Sequence, residues 1–298
     1  MIKKKRWGKK YEDKRDWKQY NQKLIKRGEF YISPVFFNTW LDETKEMNIG
    51  KVGQPYLYPK SLIEFLAILH AKSFDYRALQ GIVSSLSKKL GSFPVISFSQ
   101  IRRRIKALDL RFAPKGENLI VGTDGSGIKV SNRGEWIRQK WAVRRGWVKV
   151  VIMGDTDGNI VDIRVGNEEI DENASGRGMV RKNKKHIEKF MGDGAYDAKK
   201  NFKLLHQSGI EPVIKIRKNA STKSRGCLPR KKEVINYMKK GYEKWAEEKN
   251  YGMRWPATEG IFSATKRIFG ESVNSHKKRN MYHEAKLKFW AYQKLKDH

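Results

Sequence analysis

The chain has 298 residues, enough for one large domain or two modest ones with a real core. Its 64 Lys and Arg face 32 Asp and Glu, a formal charge of +32, while 39% hydrophobic and 11% aromatic residues exclude a disordered basic tail. Such an excess repels itself, so a polyanionic partner, nucleic acid above a membrane surface, explains it better than adaptation to salt or heat.

The single cysteine, Cys227, excludes an internal disulfide and a Cys-based zinc site, and the six His are scattered without metal-ligand spacing. No run approaches the ~20 apolar residues of a membrane helix, and the N-terminus lacks an apolar signal core. The chain is therefore expected to be intracellular, with no membrane partner.

Residues 1–30 carry twelve Lys or Arg against four acids and form a basic arm suited to phosphates. Trp17, Tyr20, Leu24 and Ile25 predict a helix from about Asp13 to Arg27, ending near Gly28. Val35, Phe36, Phe37, Trp40 and Leu41 suggest a second apolar element. Pro59 opens a helix through Leu69, Arg77 to Leu90 form another stopped by Gly91, and a third runs from about Ser99 to Leu108. In that third helix Ile101 and Ile105 face inward and leave Arg102, Arg103, Arg104 and Lys106 largely outward. Helix, turn and basic helix outline a helix-turn-helix DNA reader, although a three-helix bundle with a basic face has the same pattern. The polar stretch Arg111 to Asn118, with Pro114 and Gly116, marks a boundary between a helical domain (1–112) and a second domain (113–298).

Beyond it the pattern turns strand-like. Leu119 to Val130, Trp147 to Met153 and Ile160 to Val165 read as an antiparallel meander, with Asp157-Gly158 as a hairpin turn. Asp155 and Asp157 are turn formers. Glu168 to Glu172 reads as a solvated acidic loop. A fourth strand starts at Ile187 and ends at Asp193. Asp197 is placed to cap the helix that follows, Ala198 to Ser208. Glu211 to Arg217 is a fifth strand, reached by a parallel crossover. A basic loop and the charged helix Lys232 to Glu248 form an insertion at about 218–250, and a last helix runs from Met281 to Lys296.

Between these comes Tyr251-Gly-Met-Arg-Trp-Pro-Ala-Thr-Glu-Gly-Ile-Phe-Ser-Ala-Thr-Lys266. Pro256 suits a first helical turn, and Glu259 and Lys266, two turns apart, share nearly one face. Taken alone, this is a partly buried helix with a solvated charge pair. Asp124 in the first strand and Asp193 at the end of the fourth both sit among small residues (Thr-Asp-Gly-Ser, Gly-Asp-Gly-Ala) that leave the backbone open to a metal and a phosphate. Asp124, Asp193 and Glu259 gathered at one spot would need a cation. Two hard divalent ions about 3.5–4 Å apart would meet that need and clamp the oxygens of a phosphodiester.

The order meander-Asp, strand-Asp, helix-Glu resembles the ribonuclease-H-like core of DDE transposases. Tyr251, Arg254, Glu259 and Lys266 resemble the Tyr-Arg-Glu-Lys signature of the insertion-sequence four/five group, with Arg254 five residues before Glu259 where the group has four. The blocks Gly122-Thr-Asp-Gly-Ser126 and Gly192-Asp-Gly-Ala-Tyr-Asp197 resemble its two Asp motifs, and the likeness extends to most of the chain. The resemblance implies an α/β fold, a mixed five-stranded sheet flanked by helices behind an all-helical, helix-turn-helix-like domain. It implies that Asp124, Asp193 and Glu259 are catalytic and bind two Mg²⁺, which Mn²⁺ replaces, and that Tyr251, Arg254 and Lys266 hold end DNA. It also implies binding of terminal inverted repeats, cleavage and strand transfer, a homodimer on double-stranded DNA, and a cytoplasmic, nucleoid-associated protein. A plain nuclease of the same core, or a transposase-derived DNA-binding protein without catalysis, would carry much of the same pattern. A tyrosine recombinase lacks its Arg/His cluster here.

Overall fold

The computed structural model describes residues 16–31, 35–91, 93–131, 139–140 and 147–298. The basic arm up to Arg15, including the expected first residues of the N-terminal helix, lies outside the described residues. Those described divide into two compact units, one reaching to Leu62 and including Lys294–His298, the other comprising Ile63–Gln293. The expected junction near residue 112 falls inside the second.

In the first unit α1 (Trp17–Glu29) starts at Asp16, whose carboxylate accepts from the Gln19 N–H at 3.1 Å. It buries none of its residues. In α2 (Phe36–Asn48), Phe36 is fully buried and packs against Phe37 and Trp40. Glu43 of α2 accepts from the Ser61 N–H at 2.9 Å, satisfying an orphan donor at the start of α3 (Lys60–Ala71).

In the second unit α4 (Tyr76–Leu90) is capped by Asp75, which accepts from the N–H groups of Arg77 and Ala78. Ser97 caps α5 (Phe98–Ala107), and the Gln80 side chain of α4 accepts from the Phe98 N–H at 2.8 Å. Ile101 and Ile105 are buried as their spacing predicts, and Arg102, Arg103 and Lys106 are exposed while Arg104 is half-buried. The connection 91–97 is longer than the turn of about three or four residues of a tight helix-turn-helix.

The sheet is built from β1 (Leu119–Val130), β2 (Val148–Asp155), β3 (Ile160–Asn167), β4 (Ile187–Gly192) and β5 (Glu211–Ile214), in the order β3-β2-β1-β4-β5. The first three form the antiparallel meander that their short turns require, and β4 and β5 run parallel to β1 after helical crossovers. This is the ribonuclease-H-like arrangement. A sixth strand, β6 (Ser272–Val273), pairs with the far end of β1. Two residues carry no alternation, so the sequence could not announce it.

Helices cover both faces. α6 (Glu172–Asn183) and α7 (Lys199–Gln207) contribute Met179, Val180, Phe202 and Leu205 to a core with Val121, Val151 and Met153. On the opposite face lie α9 (Arg254–Ala257), α10 (Glu259–Phe269) and α11 (Lys278–Asp297). Between β5 and α9 runs α8 (Leu228–Glu248), bent at Gly241, whose φ of 73° and ψ of 166° are not helical. Among the described residues no helix is long and apolar enough to cross a membrane.

Asp197 does not cap α7. The cap position is Ala198, which offers no side-chain acceptor, while Asp197 is buried and bound by Arg230. Nor is the motif helix continuous from Pro256. α9 and α10 are separate because Thr258 leaves helical geometry at φ −133° and ψ −82°.

Candidate active site

Even positions of β1 face α9 and α10, and odd positions face α6. The register pairs Gly122 with Met191 on the parallel neighbour β4. Asp124 and Asp193, each two residues further on, therefore sit at one level on adjacent chains. Asp193 lies just past β4, where its carboxylate accepts from the Ala195 N–H at 2.8 Å and fixes the turn Gly194–Tyr196.

The third acid arrives through a glycine seat. Gly122 of β1 and Gly154 of β2 are cross-strand partners. A Cβ on Gly154 would stand 2.2 Å from the Ala257 carbonyl oxygen, and one on Gly122 would stand 3.0 Å from the Thr258 methyl. Only bare backbone lets the break between α9 and α10 press onto the sheet there. The break sets Glu259 at the first position of α10, above Asp124.

The same break accounts for the five-residue spacing of Arg254 and Glu259. One residue spent outside helical geometry brings the guanidinium back onto the acids. Arg254 Nη2 donates to Glu259 Oε1 at 2.5 Å, and Nη1 stands 4.0 Å from Asp124 Oδ2. The Arg254 side chain is 16% exposed and lies over the Tyr251 ring, 5.8 Å from its centroid. Tyr251 is itself buried. Its hydroxyl donates to the Gly192 carbonyl at 3.2 Å, and its ring packs against Trp245 at 5.1 Å. Tyr251 thus holds the β4 end and Arg254 in place. Trp255 points to solvent, 59% exposed. Lys266 donates from Nζ to Ser126 Oγ at 2.9 Å, one step along the Asp124 face.

Burial pushes the Asp124 carboxyl up to about 6, and the negative charges of Asp193 and Glu259 add to the rise. The Gly125 N–H and Arg254 oppose it without cancelling it. Asp193 and Glu259 thus lie near enough for their charges to bear on Asp124, with burial the larger cause of its rise. Among the described residues no three His, Cys, Asp or Glu side chains are gathered closely enough to hold a metal as they stand. Arg254 lies between Asp124 and Glu259, where it is the cation of the site. As a donor set, three hard carboxylates with a raised pKa among them fit a hard divalent ion.

A fourth acid escapes the sequence reading. Glu172 is not in a solvated loop but opens α6 against the far side of β1, where a Cβ on Gly125 would stand 2.6 Å from its carboxylate. It pairs with Lys149 at 2.7 Å. Burial raises the Tyr196 phenol pKa, and Glu172, Asp124 and Asp193 contribute to the rise. The available signal was the Gly125 and Gly127 pair in β1, which requires close approach on that face. Arg102, Arg103, Arg104 and Lys106 are not part of this site. They lie on α5, with Lys106 Nζ donating to Asn280 Oδ1 at 3.0 Å.

The strand order is ribonuclease-H-like, with Asp124 and Asp193 at one level on adjacent chains and Glu259 on the helix above them. The family described as transposase DDE domain matches residues 116–293, and a second of the same description matches residues 25–133. The chain belongs to the DDE transposases. Among solved structures it is similar to the piggyBac transposase synaptic complex with hairpin DNA, with 9% identity over 91% of this chain and 73% of that one at a TM-score of 0.38. A simian T-cell lymphotropic virus intasome in complex with PP2A regulatory subunit B56 gamma shows 12% identity over 73% and 72%, at 0.26. These scores add nothing to the strand order already described. No curated protein matches the chain.

Proposed function

We propose that this transposase binds the terminal inverted repeats of its own element, cuts there and joins the freed ends to target DNA. The observation that carries the reading is the convergence of Asp124, Asp193 and Glu259 on one electrostatic site, with Asp124 raised to about 6. Asp124, Asp193 and Glu259 would hold divalent ions, Mg²⁺ with Mn²⁺ as substitute, which supply charge neutralisation at the scissile phosphate and an activated oxygen nucleophile. The chain's own groups do the rest. The Gly122–Gly154 seat fixes Glu259 over the sheet, and Tyr251 fixes the carbonyl before Asp193. Arg254 neutralises Glu259 and Asp124 and is placed to meet a DNA phosphate beside them. Lys266 and the exposed face of α5, with Arg102, Arg103 and Lys106, bind backbone phosphates, and Arg104 supports that face from its half-buried position. The segment 1–112 serves mainly DNA binding and 113–298 the chemistry. Two copies pair two element ends, and the protein works at the nucleoid in the cytoplasm.

The test uses DNA carrying the repeats that flank the gene, incubated with wild type and Glu259→Gln, with Mg²⁺, Mn²⁺ or chelator, and the new ends mapped. Metal-dependent and Glu259-dependent breaks at the repeat boundaries, with joined products, are expected. Scattered breaks without joining would identify a nuclease, and tight binding without breaks a DNA-binding descendant.

A further inference from the structure

The basic segment between β5 and α8 folds over the start of α7, and together they line an open cavity of about 360 Å³. That volume falls in the ~300–1,000 Å³ range of ligand sites. Its charged wall is Asp197, Lys199, Arg217, Arg225 and Arg230.

The one acid is already spent. Asp197 has a fully buried side chain, and its two oxygens accept from Arg230 Nε at 2.6 Å and Nη2 at 2.9 Å. One of them also accepts from the Arg217 N–H at 3.1 Å. Two of the remaining cations are held by neutral groups. Arg217 donates from Nε to the Gly194 carbonyl at 2.7 Å and from Nη2 to the Ala195 carbonyl at 3.1 Å. Lys199 donates from Nζ to the Arg225 carbonyl at 2.8 Å. Carbonyls fix these side chains without cancelling their charge, and Arg225 itself is exposed. Lys199 and Arg217 are exposed as well, so solvent screens their repulsion, but three cations around one concavity still make a positive surface that favours an anion. Forked guanidinium groups favour phosphate oxygens as that anion. Arg217 also ties the cavity to the turn on which the Asp193 carboxylate rests.

We propose that this cavity binds a backbone phosphate of the DNA strand engaged at the acid site, with Lys199, Arg217 and Arg225 as its ligands. The identity of the strand rests on the function proposed above; the anion site rests on the cavity.

The experiment compares the full chain with Lys199→Ala/Arg225→Ala and with Lys200→Ala/Lys203→Ala, which removes the same charge from exposed α7 positions outside the cavity. Binding of a fluorescent duplex is measured across salt concentrations. In parallel, phenylglyoxal modification of Arg225 in wild type is mapped by mass spectrometry with the duplex, with inorganic phosphate and with neither. The cavity variant should weaken binding several-fold more than the control and flatten its log–log salt slope by about 0.9, one phosphate contact. The duplex should protect Arg225 and inorganic phosphate should not. Equal slopes for both variants with Arg225 unprotected by duplex overturn the proposal, as does protection by inorganic phosphate alone. A wild type that protects Arg225 on DNA but never cuts element ends keeps the cavity and refutes the transposition reading. One that cuts normally with Arg225 unprotected does the reverse.

Discussion

Replacing Asp124 by Asn should make the metal-free protein more stable while abolishing DNA cleavage. The Asp124 carboxyl rises from 3.8 to about 6 on folding, first through burial. At about 1.4 kcal/mol per pH unit, keeping it ionised at neutral pH costs the folded state about 3 kcal/mol. The folded chain holds this proton more tightly than the unfolded chain does. The cost is therefore absent below about pH 4, grows as pH rises, and is complete above about pH 6. Asn occupies the same volume, stays neutral, and can still accept from the Gly125 N–H that Asp124 holds at 2.9 Å. It gives up only the attraction to Arg254 at 4.0 Å. A gain of about 1–3 kcal/mol near pH 7.5 follows, or several degrees in Tm at about 2–4 °C per kcal/mol. Thermal unfolding in chelator from about pH 4 to 8 measures it, and the gap should close toward pH 4. Adding Mg²⁺ should raise the wild-type Tm more than that of the variant, because ligand binding stabilises only the state that holds it. An Asn variant less stable than wild type at neutral pH, or a gap that ignores pH, would refute the shared-site reasoning.

Gly154→Ala should destabilise by about 1–3 kcal/mol and sharply reduce cleavage, because its methyl would meet the Ala257 carbonyl oxygen at 2.2 Å and lift α10. Gly178→Ala, in α6 with nothing within 4 Å, should instead gain about 0.5–1 kcal/mol; urea unfolding of the pair compares them, and equal effects would remove the glycine seat. Arg230→Met strands the buried Asp197 carboxylate and should cost about 3–5 kcal/mol, with much of the loss recovered when Asp197→Asn is added. Chemical denaturation of the single and double variants reads that cycle, and an unchanged midpoint for the single variant would sink it. Replacing Arg102, Arg103 and Arg104 together should weaken duplex binding and flatten its salt dependence by about 0.9 per lost phosphate contact, while an unchanged slope in a binding titration would take α5 off the DNA.

The strands and most helices were legible because their signals are local. β1 begins and ends at Leu119 and Val130 as its pattern predicts, and α5 buries Ile101 and Ile105 as its spacing requires. The two Asp blocks stood out because an acid between small residues, within a strand for Asp124 and just past one for Asp193, is itself a local pattern. Residues whose roles depend on a distant partner were misread or missed. Asp197 has the composition of a helix cap, but Arg230, 33 positions later, competes for it more strongly with two charged bonds. Glu172 looked solvated because nothing near it in sequence shows Gly125 making room.

The sequence by itself carried the charge, the order of most elements and the small-residue settings of Asp124 and Asp193, since periodicity and composition are properties of neighbouring positions, while Glu259 stood out only through the resemblance to a family. Only the tertiary structure decided how those acids meet. Register across β1 and β4 levels the two Asp, and a Gly122–Gly154 pair that no local pattern encodes admits the break at Thr258. That break turns an apparent spacing fault into the Arg254–Glu259 contact. Backbone approach and charge compensation act through space between residues far apart in the chain, and they exist only once the sheet has formed.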